Sequence, residues 1–247
     1  IIVSGSHNFK LSPNGKWECV GTHVIGKPGD SYPTGAEFLD ASGFEHCLNT
    51  GTWMHVYRRK LLLDNNLFQA PGRLHQDDEW WYRVFIKADK VEIAPFLYYN
   101  YRYQPKSVTH KPSPKTIYDR AENFKAACNF FNAGEYPPFL KKKLAMYFCR
   151  NFLHSPFLRR RYASKVNSLL PREDCRKALL SCLGTPEQFR SYCNVVRSAR
   201  KTSLLFIPLM YLARTKWGFV PAEYILRFRD RVVTPSAKWI LKKLKRK

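Results

Sequence analysis

A run of three acidic residues is the candidate chemical group of this 247-residue chain. Asp77, Asp78 and Glu79 follow His75 and precede Trp80. A carboxylate that stays ionised at neutral pH can act as a general base and accept the proton of an attacking hydroxyl group. The helix dipole and the free N–H groups of a first turn favour that charged form. The acids could instead serve only to complement the dipole, and the residues alone leave both interpretations open.

The acidic run lies at the start of a predicted helix over residues 77–88. Trp81, Val84 and Phe85 recur there at helical intervals. Residues 91–103 are dense in β-branched and aromatic side chains, and we predict one strand over them. The run is therefore expected between a helix and a strand of an α/β fold.

Shorter elements are predicted before the acidic run. Residues 1–3 are typical of the end of a buried strand. Residues 9–11 and 17–20 flank an Asn-Gly turn, which indicates a hairpin. Short helices are predicted over residues 34–39 and 57–64.

Charge divides the chain into two regions. Residues 1–110 carry 12 Lys and Arg against 11 Asp and Glu, whereas residues 111–247 carry 30 against 8. A proline-rich break at residues 111–114 coincides with this change, so we predict one domain over residues 1–110 and another over 111–247. The basic second region indicates an anionic surface nearby, either membrane phospholipid or nucleic acid.

The second region is predicted to be all α-helical. Its clearest helix begins at Pro114, stops at Gly134 and repeats apolar residues at helical spacing. Further helices are predicted over residues 138–153, 172–183, 186–200 and 235–244. The apolar run 203–213 is too short to span a bilayer, which needs about 20 residues. The amphipathic basic segment 235–247 favours docking on an anionic membrane surface, the alternative being a solvated tail.

Several short motifs follow one another in a fixed order around the acidic run. They are W-x-x-x-Y-R-R-x-L-L from Trp53, N-x-L-F from Asn65, H-x-D-D-E-W from His75, R-V-x-x-K-A-x-K-V from Arg83, Y-x-Y-R from Tyr99 and S-V-T from Ser107. This order resembles the second half of family 2 glycosyltransferase domains from polysaccharide assembly systems, over about residues 1–110. The resemblance implies a partial GT-A (Rossmann-like) sheet, followed here by the basic helical region, and inverting sugar transfer.

The resemblance also implies a role for individual residues. The family usually has H-E-D-E where this chain has residues 75–78, and its Asp after the Glu is the catalytic base. Asp77 matches that base, while Gln76 stands where the family has Glu. Asp78 and Glu79 keep the site acidic.

Five further positions are candidates for shaping the site. Trp53 and Trp80 are candidates for a wall on which a sugar ring stacks, the alternative being a place in the core. His75 is a candidate for orienting the site or the diphosphate, or else a structural histidine. Arg102 and Ser107 match the family's Y-R-x-x-x-x-S-x-T stretch and are candidates for holding the phosphate-bearing end of the donor. Arg102 could equally lie on a strand edge in solvent.

The donor-binding half of the resembled family has no counterpart in this sequence. Neither the family's D-x-D motif nor its nucleotide-binding β-α-β opening is present, so we expect a fragment with both features before Ile1. The resemblance implies a divalent metal (Mg or Mn) and a nucleotide-sugar donor for the full-length protein. It implies no metal ligand in this chain, and we expect the fragment alone to be inactive.

The predicted function is transfer of a sugar from a nucleotide-sugar donor to a hydroxyl of a glycan or lipid-linked acceptor, in surface polysaccharide biosynthesis. The predicted location is cytoplasmic, on the inner face of the cell membrane, with basic C-terminal helices on anionic lipid. A nucleic-acid-binding protein is one alternative, but no zinc-finger, RNP-type or basic-zipper signature supports it and the acidic run would repel phosphates. The other is a non-catalytic, transferase-like interaction domain.

Overall fold

The structure is a computed structural model that describes residues 1–42, 51–104, 107, 113–134, 136–149, 170–199, 206–215 and 217–228. Contacts divide the chain into two units. The first contains Ile1–Lys111 and Gly134–Tyr147, and the second contains Pro112–Ala133 and Phe148–Lys247. The predicted fold class, an α/β sheet region followed by a helical region, is confirmed.

Strands are confined to the first part of the described chain. They are β1 (Ile2–Val3), β2 (Ser6–Leu11), β3 (Trp17–His23), β4 (Ser31–Tyr32), β5 (His55–Val56), β6 (Val91–Ile93) and β7 (Tyr99–Arg102). The helices are α1 (Gly35–Ala41), α2 (Arg59–Asp64), α3 (Gln76–Ile86), α4 (Pro114–Ala133), α5 (Pro138–Phe148), α6 (Arg172–Leu183), α7 (Pro186–Ser198), α8 (Phe206–Ala213) and α9 (Phe219–Phe228). A 3₁₀ turn, Thr52–Met54, precedes β5.

The first sheet of the first unit is small and mixed. Its strand order is β4-β6-β1-β5, with β1 parallel to β6 and antiparallel to β5. Val3 of β1 and the two outer residues of β6, Val91 and Ile93, are buried. This sheet therefore contributes short hydrophobic strands to the core of the unit.

Helix α3 packs its apolar face inward, as its periodicity predicts. Trp81, Val84 and Phe85 are all buried, and the Phe85 ring stacks on that of Phe38 in α1 at 5.1 Å between centroids. A Cβ atom on Gly35 would lie 1.7 Å from the carbonyl oxygen of Phe85, so only glycine allows α1 to begin this close to α3. The helix that begins with the acidic run is thus fixed from its inner side.

The second sheet of the first unit has the order β3-β2-β7. β2 and β3 form the predicted hairpin, whose turn places Gly15 at φ +80° with its N–H donating to the carbonyl of Ser12. β7 runs parallel to β2, in a register that pairs Ser6 with Tyr99 and Asn8 with Tyr101.

The prediction of a single strand over residues 91–103 is wrong. The segment forms β6 in the first sheet and β7 in the second. The N–H of Ala94 still donates to the carbonyl of Val3, but Pro95 has no N–H with which to continue a ladder. The Ser4 hydroxyl then donates to the carbonyl of Phe96, which holds the chain where it leaves β6.

The described part of the second unit is helical. In α4 the predicted apolar face is confirmed, because Ile117, Ala121, Phe124, Cys128 and Phe131 are all buried. Helix α7 begins with a capping box in which Thr185 and Gln188 bond each other's backbone N–H groups.

Three of the predicted helices reach beyond the described residues. The segment 235–244 and the ends of those predicted over 138–153 and 186–200 lie outside them. Within the described residues, no helix is both long and apolar enough to cross a lipid bilayer.

Candidate active site

The acidic run lies in the first turn of α3. His75, directly before the helix, has left-handed backbone angles of φ 56° and ψ 34°, which are uncommon for a residue with a side chain. The backbone N–H of Asp78 donates to Oδ1 of Asp77 at 3.1 Å and to the carbonyl of His75 at 3.2 Å. The Asp77 carboxylate therefore lies among the N–H groups of a helix start, where negative charge is favoured.

Tyr57 is a further candidate residue in the neighbourhood of Asp77, and the sequence alone did not single it out. Its hydroxyl is buried and has no hydrogen-bond partner within the part of the chain that the structure describes. Burial raises the pKa of Tyr57 well above its ordinary value, and the charges of Tyr98 and Asp77 raise it further. The signal that could have found it is its place in the Y-R-R-x-L-L motif.

Glu79 lies on the inner side of the same helix. Its carboxylate is paired with Arg83 one turn later, with Nε of Arg83 2.8 Å from Oε1 and Nη2 donating to Oε2 at 3.0 Å. Burial raises the pKa of Glu79, while the neighbouring Arg83 lowers it. Arg83 also donates to the carbonyl of Phe68. Glu79 therefore takes part in an ion pair that ties α3 to the preceding loop.

The two candidate tryptophans have different surroundings. Trp80 is only 4% exposed, and its Nε1 donates to the carbonyl of Leu67 at 3.0 Å, so its burial does not support a role as a sugar-stacking wall. Trp53 is half-buried, and its ring lies 4.2 Å from that of Tyr99 and 5.3 Å from that of Tyr101. Trp53 therefore belongs to an aromatic cluster over the second sheet.

The two residues predicted to hold the phosphate-bearing end of the donor lie at the end of β7 and just beyond it. Arg102 is exposed, and its guanidinium carbon lies 5.7 Å from the centre of the Trp17 ring on β3. Ser107 is half-buried, and its backbone N–H donates to the carbonyl of Gln104. The structure thus brings His75, Asp77 and Asp78 together at the start of α3 and places Arg102 on the second sheet.

Potential metal ligands do not cluster in the part of the chain that the structure describes. No group of three or more His, Cys, Asp or Glu side chains is placed there to hold a metal ion. What the described arrangement can supply is a half-buried carboxylate at a helix start, with a buried hydroxyl and aromatic rings nearby. That combination suits proton abstraction from an alcohol.

The chain is similar to a protein that is named as a glycosyltransferase. The uncharacterized glycosyltransferase EpsJ of Bacillus subtilis (strain 168) is 27% identical over 172 residues, which cover 67% of this chain. The aligned part is 46% of EpsJ, so the chain spans about half the length of that relative. No protein-family model matches the chain, and no solved structure matches it. The similarity supports a glycosyltransferase function at the coarse level of enzyme class.

Proposed function

We propose that this chain is part of an inverting glycosyltransferase of family 2 with Asp77 as its catalytic base. The observation that carries the proposal is the position of Asp77 in the first turn of α3, where the N–H of Asp78 donates to its carboxylate and the helix dipole favours its ionised form. The order of short motifs around it and the similarity to a protein named as a glycosyltransferase support the same reaction class.

In the proposed reaction, the Asp77 carboxylate accepts the proton of an acceptor hydroxyl. The deprotonating oxygen attacks the anomeric carbon of the donor sugar from the face opposite the bond to the nucleoside diphosphate, which leaves with that bonding electron pair. A single displacement of this kind inverts the anomeric configuration. One carboxylate is enough for this chemistry, because a single displacement forms no covalent intermediate between the sugar and the enzyme.

Tyr57 has a positioning role in this proposal. Its buried hydroxyl keeps its proton at all physiological pH values, because burial raises its pKa. A protonated hydroxyl close to Asp77 can donate a hydrogen bond to a carboxylate or to an acceptor oxygen. We therefore expect Tyr57 to help orient the reacting groups rather than to exchange a proton itself.

The partners of the whole protein are part of the proposal. They are a nucleotide-sugar donor, a divalent metal and a glycan or lipid-linked acceptor in surface polysaccharide synthesis. The described residues contain no ligand set for the metal, so no step is assigned to it within this chain. Peripheral binding to an anionic membrane is proposed from the 30 Lys and Arg against 8 Asp and Glu of residues 111–247.

The stereochemistry of the product tests the proposed reaction. The full-length protein is incubated with Mg²⁺ or Mn²⁺, a panel of sugar nucleotides and polyprenyl-linked or oligosaccharide acceptors, and release of the nucleoside diphosphate identifies the donor. Proton NMR of the fresh product then gives its anomeric configuration. A product of opposite configuration to the donor is expected, and a product of retained configuration would exclude the single displacement.

A further inference from the structure

A groove lies on one face of the second sheet. Side chains alternate between the two faces of a strand, so Ser6, Asn8 and Lys10 of β2 share one face. The parallel pairing of Asn8 with Tyr101 brings the ring of Tyr101 to the same face, and Tyr103 follows two residues later. The groove has a volume of about 420 Å³, within the roughly 300–1,000 Å³ of small-molecule sites.

Aromatic rings form one wall of the groove. The rings of Trp53 and Tyr101 are stacked with 18° between their planes, and Tyr103 is 37% exposed at the rim. The ammonium group of Lys10 lies 5.4 Å from the centre of the Tyr103 ring. Flat rings that are partly exposed offer apolar faces with polar edges, which suit the C–H face of a pyranose ring.

Polar side chains line another part of the groove, together with the apolar residues Phe9 and Val20. Asn8 offers its amide donors, while its Oδ1 accepts a hydrogen bond from the buried hydroxyl of Ser6 at 3.2 Å. The phenol groups of Tyr101 and Tyr103 add hydroxyls to the lining. No Asp or Glu is among its described lining residues. Aromatic faces combined with amide and hydroxyl groups are complementary to a sugar ring, which has apolar C–H faces and equatorial hydroxyls.

The groove is connected to the start of α3 within the first unit. The hydroxyl of Tyr98 donates to the carbonyl of Trp53 at 2.8 Å. The ring of Tyr57 packs edge to face on that of Trp80 in α3 at 5.1 Å, and the charges of Tyr98 and Asp77 both contribute to raising the pKa of Tyr57. A chain of neighbours therefore leads from the groove wall at Trp53 to the proposed base.

We propose that this groove is a subsite for the acceptor glycan and that it holds a pyranose ring stacked on Trp53 and Tyr103, with Asn8 bonding its hydroxyls. This assignment rests on the proposed function and deepens it, because it gives the acceptor a carbohydrate binding surface beyond the reacting hydroxyl. We expect it to accept a neutral sugar, because its described lining combines aromatic rings with amide and hydroxyl groups and holds no carboxylate.

Saturation-transfer NMR with the full-length protein tests the subsite directly. The probes are four disaccharides: cellobiose, maltose, lactose and chitobiose. We expect at least one to bind with saturation of its ring C–H protons, and Tyr103→Ala and Asn8→Ala each to weaken it roughly 5-fold or more. Trp17→Ala is the matched control, because Trp17 is an exposed ring that contacts Arg102 on the same sheet and does not line the groove. The Trp17→Ala variant should bind the disaccharide with the same affinity as the wild type.

Absence of binding by all four disaccharides, or equal loss in the Trp17→Ala variant, would overturn the subsite. Kinetics separate this failure from failure of the proposed function. The Asn8→Ala variant should raise the KM for the acceptor at near-constant kcat, whereas Asp77→Asn should lower kcat. Loss of transfer in Asp77→Asn with an unchanged acceptor KM in Asn8→Ala would leave the base in place and remove the subsite.

Discussion

The indole Nε1 of Trp81 donates a 2.9 Å hydrogen bond to the hydroxyl of Tyr147, which lies 66 residues further along the chain. Both residues belong to the first unit and both are buried, with their rings packed edge to face at 5.2 Å. The bond joins α3 to the end of α5. The inner side of the helix that presents Asp77 is therefore anchored by a long-range polar contact inside the core.

Removing this anchor should destabilise the first unit. In the Tyr147→Phe variant, the buried N–H of Trp81 loses its acceptor, which costs about 1–3 kcal/mol in the free energy of unfolding. Urea unfolding followed by tryptophan fluorescence measures the change. The same substitution at Tyr224, which is 59% exposed, should change the stability by less than about 0.5 kcal/mol and serves as the control. Equal effects of the two substitutions would show that the Trp81 bond contributes nothing.

Breaking the Glu79–Arg83 pair should cost more at high pH than at low pH. Arg83→Met leaves the buried Glu79 carboxylate without its cation, and we expect a loss of about 2–4 kcal/mol at pH 8. Burial then raises the Glu79 pKa further, so at pH 5 the native state binds a proton more readily and less stability is lost. Denaturant unfolding at both pH values measures this, with the Glu79→Gln/Arg83→Met double variant as the comparison. A loss independent of pH would contradict the assignment.

His55 should make the first unit sensitive to acid. Burial lowers the pKa of His55 to about 4, below the ordinary value of 6.5. As the pH falls below 6.5, His55 becomes protonated in the unfolded chain but stays neutral in the native state. The free energy of unfolding therefore decreases progressively toward pH 4. The expected loss between pH 7.5 and pH 5 is about 2 kcal/mol. His55→Gln should lack this component, and an identical pH profile in the variant would contradict it.

The basic C-terminal segment should promote membrane binding. Residues 235–247 lie outside the described structure but include six Lys and Arg residues and no acid. Flotation with vesicles containing phosphatidylglycerol should recover less protein after deletion of residues 235–247, since each Lys or Arg near an anionic surface contributes about 1 kcal/mol. Vesicles of phosphatidylcholine alone serve as the control. Equal flotation of both forms on anionic vesicles would count against the docking proposal.

Helices were the most predictable part of the fold. The apolar periodicity correctly identified Trp81, Val84 and Phe85 of α3 and the inner face of α4 as buried, and a Pro at the first position and a Gly after the end bounded α4. Spacing along the chain was sufficient because a helix face is defined by residues three and four apart. The prediction of one strand over residues 91–103 was wrong for the opposite reason. Sheet membership depends on distant partners, and composition alone did not reveal that Pro95 ends one ladder before another begins.

The candidate site was only partly predictable. Asp77 was located by motif order, and its place in the first turn of α3 follows from local sequence. The buried position of Trp80 and the neighbourhood of Tyr57 depend on tertiary packing, for which single-chain spacing gives no signal. The Glu79–Arg83 pair could have been anticipated, because the two residues are four apart on a predicted helix.

The turnover of an Asp77→Asn variant tests the central proposal most directly. Asparagine keeps the shape of the side chain but cannot accept the acceptor proton, so kcat should fall by about 10²–10⁴-fold while donor binding is retained. Asp64→Asn makes the same change at an exposed residue paired with Lys60, and it should leave kcat unchanged. With nucleoside diphosphate release measured in the full-length protein, loss of turnover in Asp77→Asn alone is the predicted result. Wild-type turnover in that variant would contradict the assignment of Asp77 as the base.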